Sequence, residues 1–192
     1  MYIILPKSLN VEELLKDDVC YLSDTISYIG AEYVRSKGEH YLDMMSRIVN
    51  VDKNLIVANQ ENSGGAQYIL KNIPIEFWKK VYYDAENLYR LVNDQIAKDK
   101  AIDPSIHEIQ IWCADMWAVL WNLWVREKDV KVIPEMGFSW APDPITKLET
   151  HPILHNAGIV STFMDGYNCF YKGKYHTGID PTKDEHLDVI LN

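Results

Sequence analysis

The sequence predicts a mixed α/β domain: short apolar strands interleaved with helices, ending in a loop-rich C-terminal third. Three observations carry this expectation. Two long stretches repeat apolar residues at intervals of three and four. Several runs of four or five apolar residues are bounded by turn formers. From Gly137 onward Pro142, Pro144, Pro152, Gly158, Gly166, Gly173 and Gly178 punctuate the chain. Helical and extended periodicity alternating in one chain point to a sheet flanked by helices. A site in such an open sheet is expected in loops at the strand ends.

Residues 1–5 read as a short strand cut by Pro6, and residues 9–15 as one or two helical turns capped by Asn10. Residues 19–23, Val-Cys-Tyr-Leu-Ser, predict a strand ending at Asp24. A helix is expected over 39–49, and the β-branched run at 54–59 reads as extended. Residues 60–65 read as a loop that opens Ala66 onward, a strand or the start of a helix. The longest helical pattern covers 75–96, with Phe77, Val81, Ala85, Leu88 and Val92 on one stripe. A linker follows at 99–105 with Pro104. Residues 109–126 form a helix apolar nearly all round, so it is expected to be buried, with Trp117, Trp121 and Trp124 sharing a face. Residues 130–134 complete the list as a short strand.

The 192 residues fit a single domain over 1–192, with 177–192 readable as a C-terminal tail. Hydrophobic residues at 47% and charged residues at 24% are ordinary for a globular chain. The formal charge of −9, with no basic stripe, argues against a nucleic-acid surface. No stretch reaches the roughly 18 apolar residues of a membrane span, and the first residues lack a basic leader. Cys20, Cys113 and Cys169 are odd in number and far apart, which predicts reduced core thiols and a cytoplasmic protein. Six Trp and twelve Tyr fit either a large aromatic core or surfaces that stack on sugar rings.

Four segments can carry chemistry. Asn62-Ser63-Gly64-Gly65-Ala66-Gln67 combines two glycines, which let backbone approach a ligand, with neutral donors and acceptors suited to hydroxyls. The simpler reading is turn chemistry between two elements. Trp112-Cys113-Ala114-Asp115-Met116-Trp117 sets a carboxylate among apolar residues, which is costly unless the group is paired or used. The alternative is an Asp at a helix N-terminus. His155-Asn-Ala-Gly158, followed by Lys172 and Lys174, could ligate a divalent ion and neutralise phosphate, or be structural. Asp24, closing Tyr21-Leu-Ser-Asp-Thr, could face a cleft or cap the strand end.

Taken in chain order, from the Asp24 segment through those at Asn62 and Trp112 to that at His155, the four segments resemble GT-A-type glycosyltransferases of bacterial or phage type, akin to glycogenin and the lipopolysaccharide galactosyltransferases. The resemblance spans residue 9 to about residue 176. It implies a partial GT-A-like mixed sheet and transfer of a hexose from a nucleotide-sugar to a glycan acceptor. It also implies dependence on Mn²⁺ or Mg²⁺ as a Lewis acid against the diphosphate. Asp115 and Gln67 would contact the sugar at the reacting centre. Asp24, Asn62, Ser63, Gly64 and Gly65 would shape the donor pocket, and Trp112 would stack on the acceptor. His155 would ligand the metal, with Gly158 and Lys172 beside the phosphates. The family's Asp-x-Asp does not occur in this chain. The resemblance therefore implies a chain lacking the N-terminal nucleotide-binding half, a half that a separately encoded partner would supply. The alternative it leaves is a non-catalytic glycan-binding remnant or a subunit of a split glycosyltransferase.

Overall fold

The computed structural model describes residues 2–4, 9–140 and 143–156. Its strands are β1 (Tyr2–Ile4), β2 (Cys20–Asp24), β3 (Gly64–Ile69), β4 (Val130–Val132), β5 (Phe138–Trp140) and β6 (Ile153–Asn156). Its helices are α1 (Val11–Leu14), α2 (Ile26–Ile29), α3 (Ala31–Lys37), α4 (Glu39–Val49), α5 (Lys53–Ala58), α6 (Ile75–Ile102) and α7 (Ala114–Val125). Mixed α/β architecture is what the sequence predicts. In place of one open sheet, the described strands form two three-stranded sheets. The chain divides into two compact units: Met1–Leu9 with Gly137–Asn192, and Asn10–Met136.

In the unit Asn10–Met136, β2 is the central strand, antiparallel to β3 and parallel to β4. Helix α7 packs against α6, β3, α4 and α5. Contact on so many sides explains why its sequence lacks a polar face: Trp117, Leu120, Trp121 and Leu123 are all buried. On α6 the predicted stripe holds, with Phe77, Val81, Leu88 and Val92 buried. The buried carboxylate of the unit is Asp84, 7% exposed, and not Asp115. Asn122 Nδ2 donates to Asp84 Oδ2 at 2.7 Å and to the Ala118 carbonyl at 2.8 Å. Lys80 Nζ donates to the same Asp84 oxygen at 2.6 Å and to the Val49 carbonyl at 2.9 Å, tying the end of α4 to α6. A buried carboxylate with charged and amide donors is a stable arrangement, whereas a lone one is not.

Several expectations are met and others corrected. Asn10 caps α1, its Oδ1 accepting from the Glu13 N–H at 3.2 Å. Helix α4 covers the expected residues 39–49 and ends on Asn50, which takes the left-handed conformation (φ 58°) that Asn tolerates. The run at 54–59 is helical and not extended: Asp52 Oδ1 accepts from the Asn54 N–H at 2.8 Å and starts α5. A local cap here outweighs β-branched propensity. Helix α6 runs on through the expected linker to Ile102. The reason lies in α4, where the Tyr41 hydroxyl donates to Asp99 Oδ2 at 2.6 Å while Gln95 Nε2 donates to Asp99 Oδ1 at 2.7 Å. Gly64 and Gly65 belong to strand β3 and not to a loop. Helices α2 and α3 were not foreseen. Residues 109–126 divide into a 3-10 turn, Ile111–Cys113, followed by α7.

In the other unit β6 is central, antiparallel to β1 and parallel to β5, with a 3-10 segment at Ile145–Glu149. Phe138, Ser139 and Ile153 are buried there. Cys20 and Cys113 are buried free thiols, as expected; Cys169 lies outside the described residues. Among the described residues no helix is long and apolar enough to cross a membrane.

Candidate functional site

Three elements of the unit Asn10–Met136 converge at the end of β2. Asp24 is its last residue and is exposed; its Oδ1 accepts from the Ile26 N–H at 3.0 Å and opens α2. Strand β3 returns antiparallel, pairing Gly64 with Asp24 and Gly65 with Ser23. The register then shifts so that Tyr68 faces Leu22. The extra residues form a bulge, in which Ala66 takes φ 63°. Left-handed backbone at a residue with a Cβ costs about 1 kcal/mol, and bulges beside sites serve to re-aim side chains.

The third element is the start of α7. The Gln110 N–H donates to the Tyr33 hydroxyl oxygen at 2.9 Å, and the chain enters the 3-10 turn with Trp112 64% exposed. Asp115 stands exposed in the first turn of α7. This is the helix-terminal alternative, and the positive end of the helix dipole favours a carboxylate there. Two residues on, Trp117 Nε1 donates to the Ile29 carbonyl at 2.8 Å, locking α7 to the end of α2.

Where the three elements meet stand two tyrosines that the sequence analysis did not single out, Tyr28 on α2 and Tyr68 on β3. Burial pushes the Tyr28 hydroxyl well above its ordinary pKa, with Cys113 and Asp24 adding to the effect. Burial likewise raises Tyr68, with Asp115 next in weight and Tyr28 and Cys113 contributing, while the Ala66 amide opposes the shift. Burial, then Asp115, pushes the Cys113 thiol up to about 12, so it is no nucleophile at neutral pH. These mutual influences put Asp24, Tyr28, Tyr68, Cys113 and Asp115 in one neighbourhood. Both phenols keep their protons across the physiological range and can donate as well as accept.

The predicted residues separate into distinct settings. Asp24 and Asp115 act on the tyrosine pair, and Trp112 stands exposed at the entry to α7. The two glycines are small because protein fills the space beside them. A Cβ at Gly64 would meet Leu22 Cβ at 2.6 Å and the Ser23 carbonyl oxygen at 2.8 Å, and one at Gly65 would meet Met116 Cε at 2.3 Å and the Tyr68 hydroxyl at 3.2 Å. Gln67 is 7% exposed, and Ser23 Oγ stands 2.7 Å from its Oε1 and 2.6 Å from the Met136 carbonyl. Gln67 thus braces the bulge from within. Ser63 is buried, and its carbonyl accepts from the Thr25 N–H at 3.2 Å. Asn62 Oδ1 accepts from the Val132 N–H at 3.3 Å and lines a recess of about 320 Å³ with Leu55, Asn59 and Trp124. None of Asp24, Tyr28, Tyr68 or Asp115 lines that recess.

His155 belongs to the other unit, on β6. It is 6% exposed, with the Trp140 ring 4.9 Å and the Phe138 ring 5.3 Å from its own. Burial lowers its pKa, which favours the neutral imidazole. A neutral ring is the form that ligates metals, but these two neighbours are aromatic and not anionic. Among the described residues no group of three or more His, Cys, Asp or Glu stands ready to hold a metal ion. Gly158 and Lys172 lie outside the described residues. No protein-family model matches the chain, and neither curated proteins nor solved structures yield a match.

Proposed function

We propose that this chain handles a sugar at the end of β2, as a GT-A-like hexosyltransferase moving a hexose from a nucleotide-sugar to a glycan acceptor. One observation carries the reading: the start of α7 exposes Asp115 and the Trp112 indole, and Asp115 adds to the rise in the Tyr68 pKa as Asp24 does for Tyr28. An aromatic face beside carboxylate and hydroxyl groups matches a pyranose, which offers an apolar C–H face and a rim of hydroxyls. The finer GT-A assignment rests on the order of the four sequence segments.

In the proposed transfer the acceptor hydroxyl oxygen bonds to the anomeric carbon of the hexose. The bond from that carbon to the diphosphate oxygen breaks, and the nucleoside diphosphate leaves with the electron pair. Asp115 accepts the hydroxyl proton and passes it to water. Trp112 holds the acceptor ring by stacking. Gln67 and Ser23 act indirectly, by fixing the bulge that aims Tyr68. Mn²⁺ or Mg²⁺, where bound, would neutralise charge on the diphosphate.

Calorimetric titration with uridine and guanosine diphosphate hexoses, each with and without Mn²⁺, tests the proposal. The wild-type chain should bind at least one of them. Asp115→Ala should abolish transfer to a glycan acceptor, followed by mass spectrometry, while the melting temperature stays unchanged. Absence of binding in every condition would sink the proposal. Binding without transfer would favour the non-catalytic glycan-binding alternative.

A further inference from the structure

We propose that the solvent face of α6 is a self-association surface, on which a second copy of this chain lays its own α6 antiparallel to the first. A second copy fits because the face is aromatic along its centre and carries two acids and two bases at its edge, spaced so that antiparallel pairing matches them.

Helix α6 buries Phe77, Val81, Leu88 and Val92 against its own unit. A helix packed on one side is expected to be polar on the other, yet Ile75, Trp78, Tyr82, Tyr83 and Tyr89 are each between 43% and 64% exposed. Spacings of three, four and seven set Ile75, Trp78, Tyr82 and Tyr89 on one stripe, with Tyr83 beside it. The rings are held in place. Tyr82 and Tyr83 meet edge to face with centroids 5.4 Å apart, and Trp78 stands edge-on to the buried Phe77 at 5.1 Å. An aromatic side chain buries about 150–250 Å² in full, so the four open rings offer on the order of 450 Å². Contiguous apolar patches of a few hundred Å² are uncommon on a monomer and often functional. Two such faces together approach the roughly 1,000 Å² of a specific but weak interface.

The charges set the register. Glu76, Lys79, Glu86 and Arg90 run along the edge of the stripe and are all exposed. They balance one another in a chain whose formal charge is −9. A neutral face is where two acidic copies meet at the least electrostatic cost. In a two-fold pair, residue i meets residue j of the other copy and j meets i. Lys79 and Glu86 are centred between Tyr82 and Tyr83, and Glu76 and Arg90 are centred on Tyr83. One two-fold axis at that point therefore sets Lys79 against Glu86 of the second copy and Glu76 against its Arg90. The same axis brings Trp78 beside Tyr89 of the second copy and lays Tyr82 and Tyr83 against their counterparts. Parallel pairing would instead set each charge at the height of its own like.

Sedimentation equilibrium of the whole chain at low salt, over about 10 to 500 µM, reads the association in the range where small interfaces dissociate. Wild type should shift from monomer toward dimer across that range. Lys79→Glu and Glu86→Lys should each weaken the dimer about threefold to tenfold, because each turns two exposed ion pairs into repulsion. The double variant should regain the wild-type affinity, since the exchanged charges again face each other across the axis. Tyr82→Ala combined with Tyr89→Ala should weaken the dimer at least about tenfold, with the helical circular dichroism unchanged. A monomer at every concentration overturns the proposal. So does a dimer that either the tyrosine variant or the single charge variants leave unaltered, and so does a double charge variant no tighter than the single ones.

Discussion

The two ends of α7 treat polar groups in opposite ways. Toward its C-terminus Asn122 is buried and bound to Asp84, with Trp121 and Leu123 buried on either side of it in the chain. In its first turn Asp115 stands in solvent, beside Trp112 with most of its indole uncovered. An unpaired buried donor or acceptor costs about 1–3 kcal/mol, and the pair satisfies Asn122 Nδ2 and Asp84 while Asn122 Oδ1 has no partner among the described residues. At the helix N-terminus the dipole alone favours the exposed carboxylate, and nothing covers the indole beside it in sequence. One helix therefore buries its polar group in its later turns and exposes it in its first, while its apolar residues, Trp117 among them, join the core along its whole length.

The largest effect is expected on the buried side of α7. Trp117→Ala removes a fully buried ring and the hydrogen bond to Ile29. It should cost about 3–5 kcal/mol in denaturant unfolding. Because that bond also seats α2, any ligand binding should fall with it. A loss below about 1 kcal/mol would mean that α7 is not the core helix its packing indicates. Asp84→Ala comes next. It leaves Asn122 Nδ2 one acceptor short and strips Lys80 of its carboxylate. Lys80 is 36% exposed, which places the cost near the low end for a broken buried pair, about 3 kcal/mol. Asp84→Asn should recover part of it. Equal losses from the two variants would show that the charge, and not the hydrogen bond from Asn122, is what matters.

How much of this was legible in the sequence follows the range of the forces involved. The stripe on α6, the length of α4 and the buried character of α7 show in the sequence because they depend on neighbours three and four residues apart. Helix α5 was misread because Leu55-Ile56-Val57 looks extended, while one hydrogen bond from Asp52 sets it helical. The buried carboxylate was sought at Asp115, whose sequence neighbours are apolar. It is Asp84, which sits among Tyr82, Tyr83 and Glu86 and is buried only because Asn122 lies across from it. The glycine pair stood out by composition, but that β3 is a bulged strand depends on pairing with β2. Asp24, Trp112 and Asp115 were each flagged separately. Tyr28 and Tyr68, which lie near Asp24 and Asp115, belong to no motif, and only the meeting of α2, β3 and α7 brings them forward.

The smallest expected effect is the sharpest. Asp115→Asn keeps the shape of the side chain and removes its charge from the first turn of α7. If Asp115 serves only the helix dipole, the change costs about 0.3–1 kcal/mol at low ionic strength, and raising the salt shrinks that difference while ligand binding stays as it was. If Asp115 serves a ligand, the stability change stays within about 0.5 kcal/mol, as for other exposed substitutions, and the effect appears in binding instead. The two outcomes are read from one pair of thermal melts, at low and high salt, with and without the nucleotide-sugar that wild type binds. A ligand-induced rise in melting temperature seen for wild type and absent for Asp115→Asn, with equal baselines, assigns the carboxylate to the ligand. A salt-sensitive drop in the baseline with the ligand-induced rise intact assigns it to the helix.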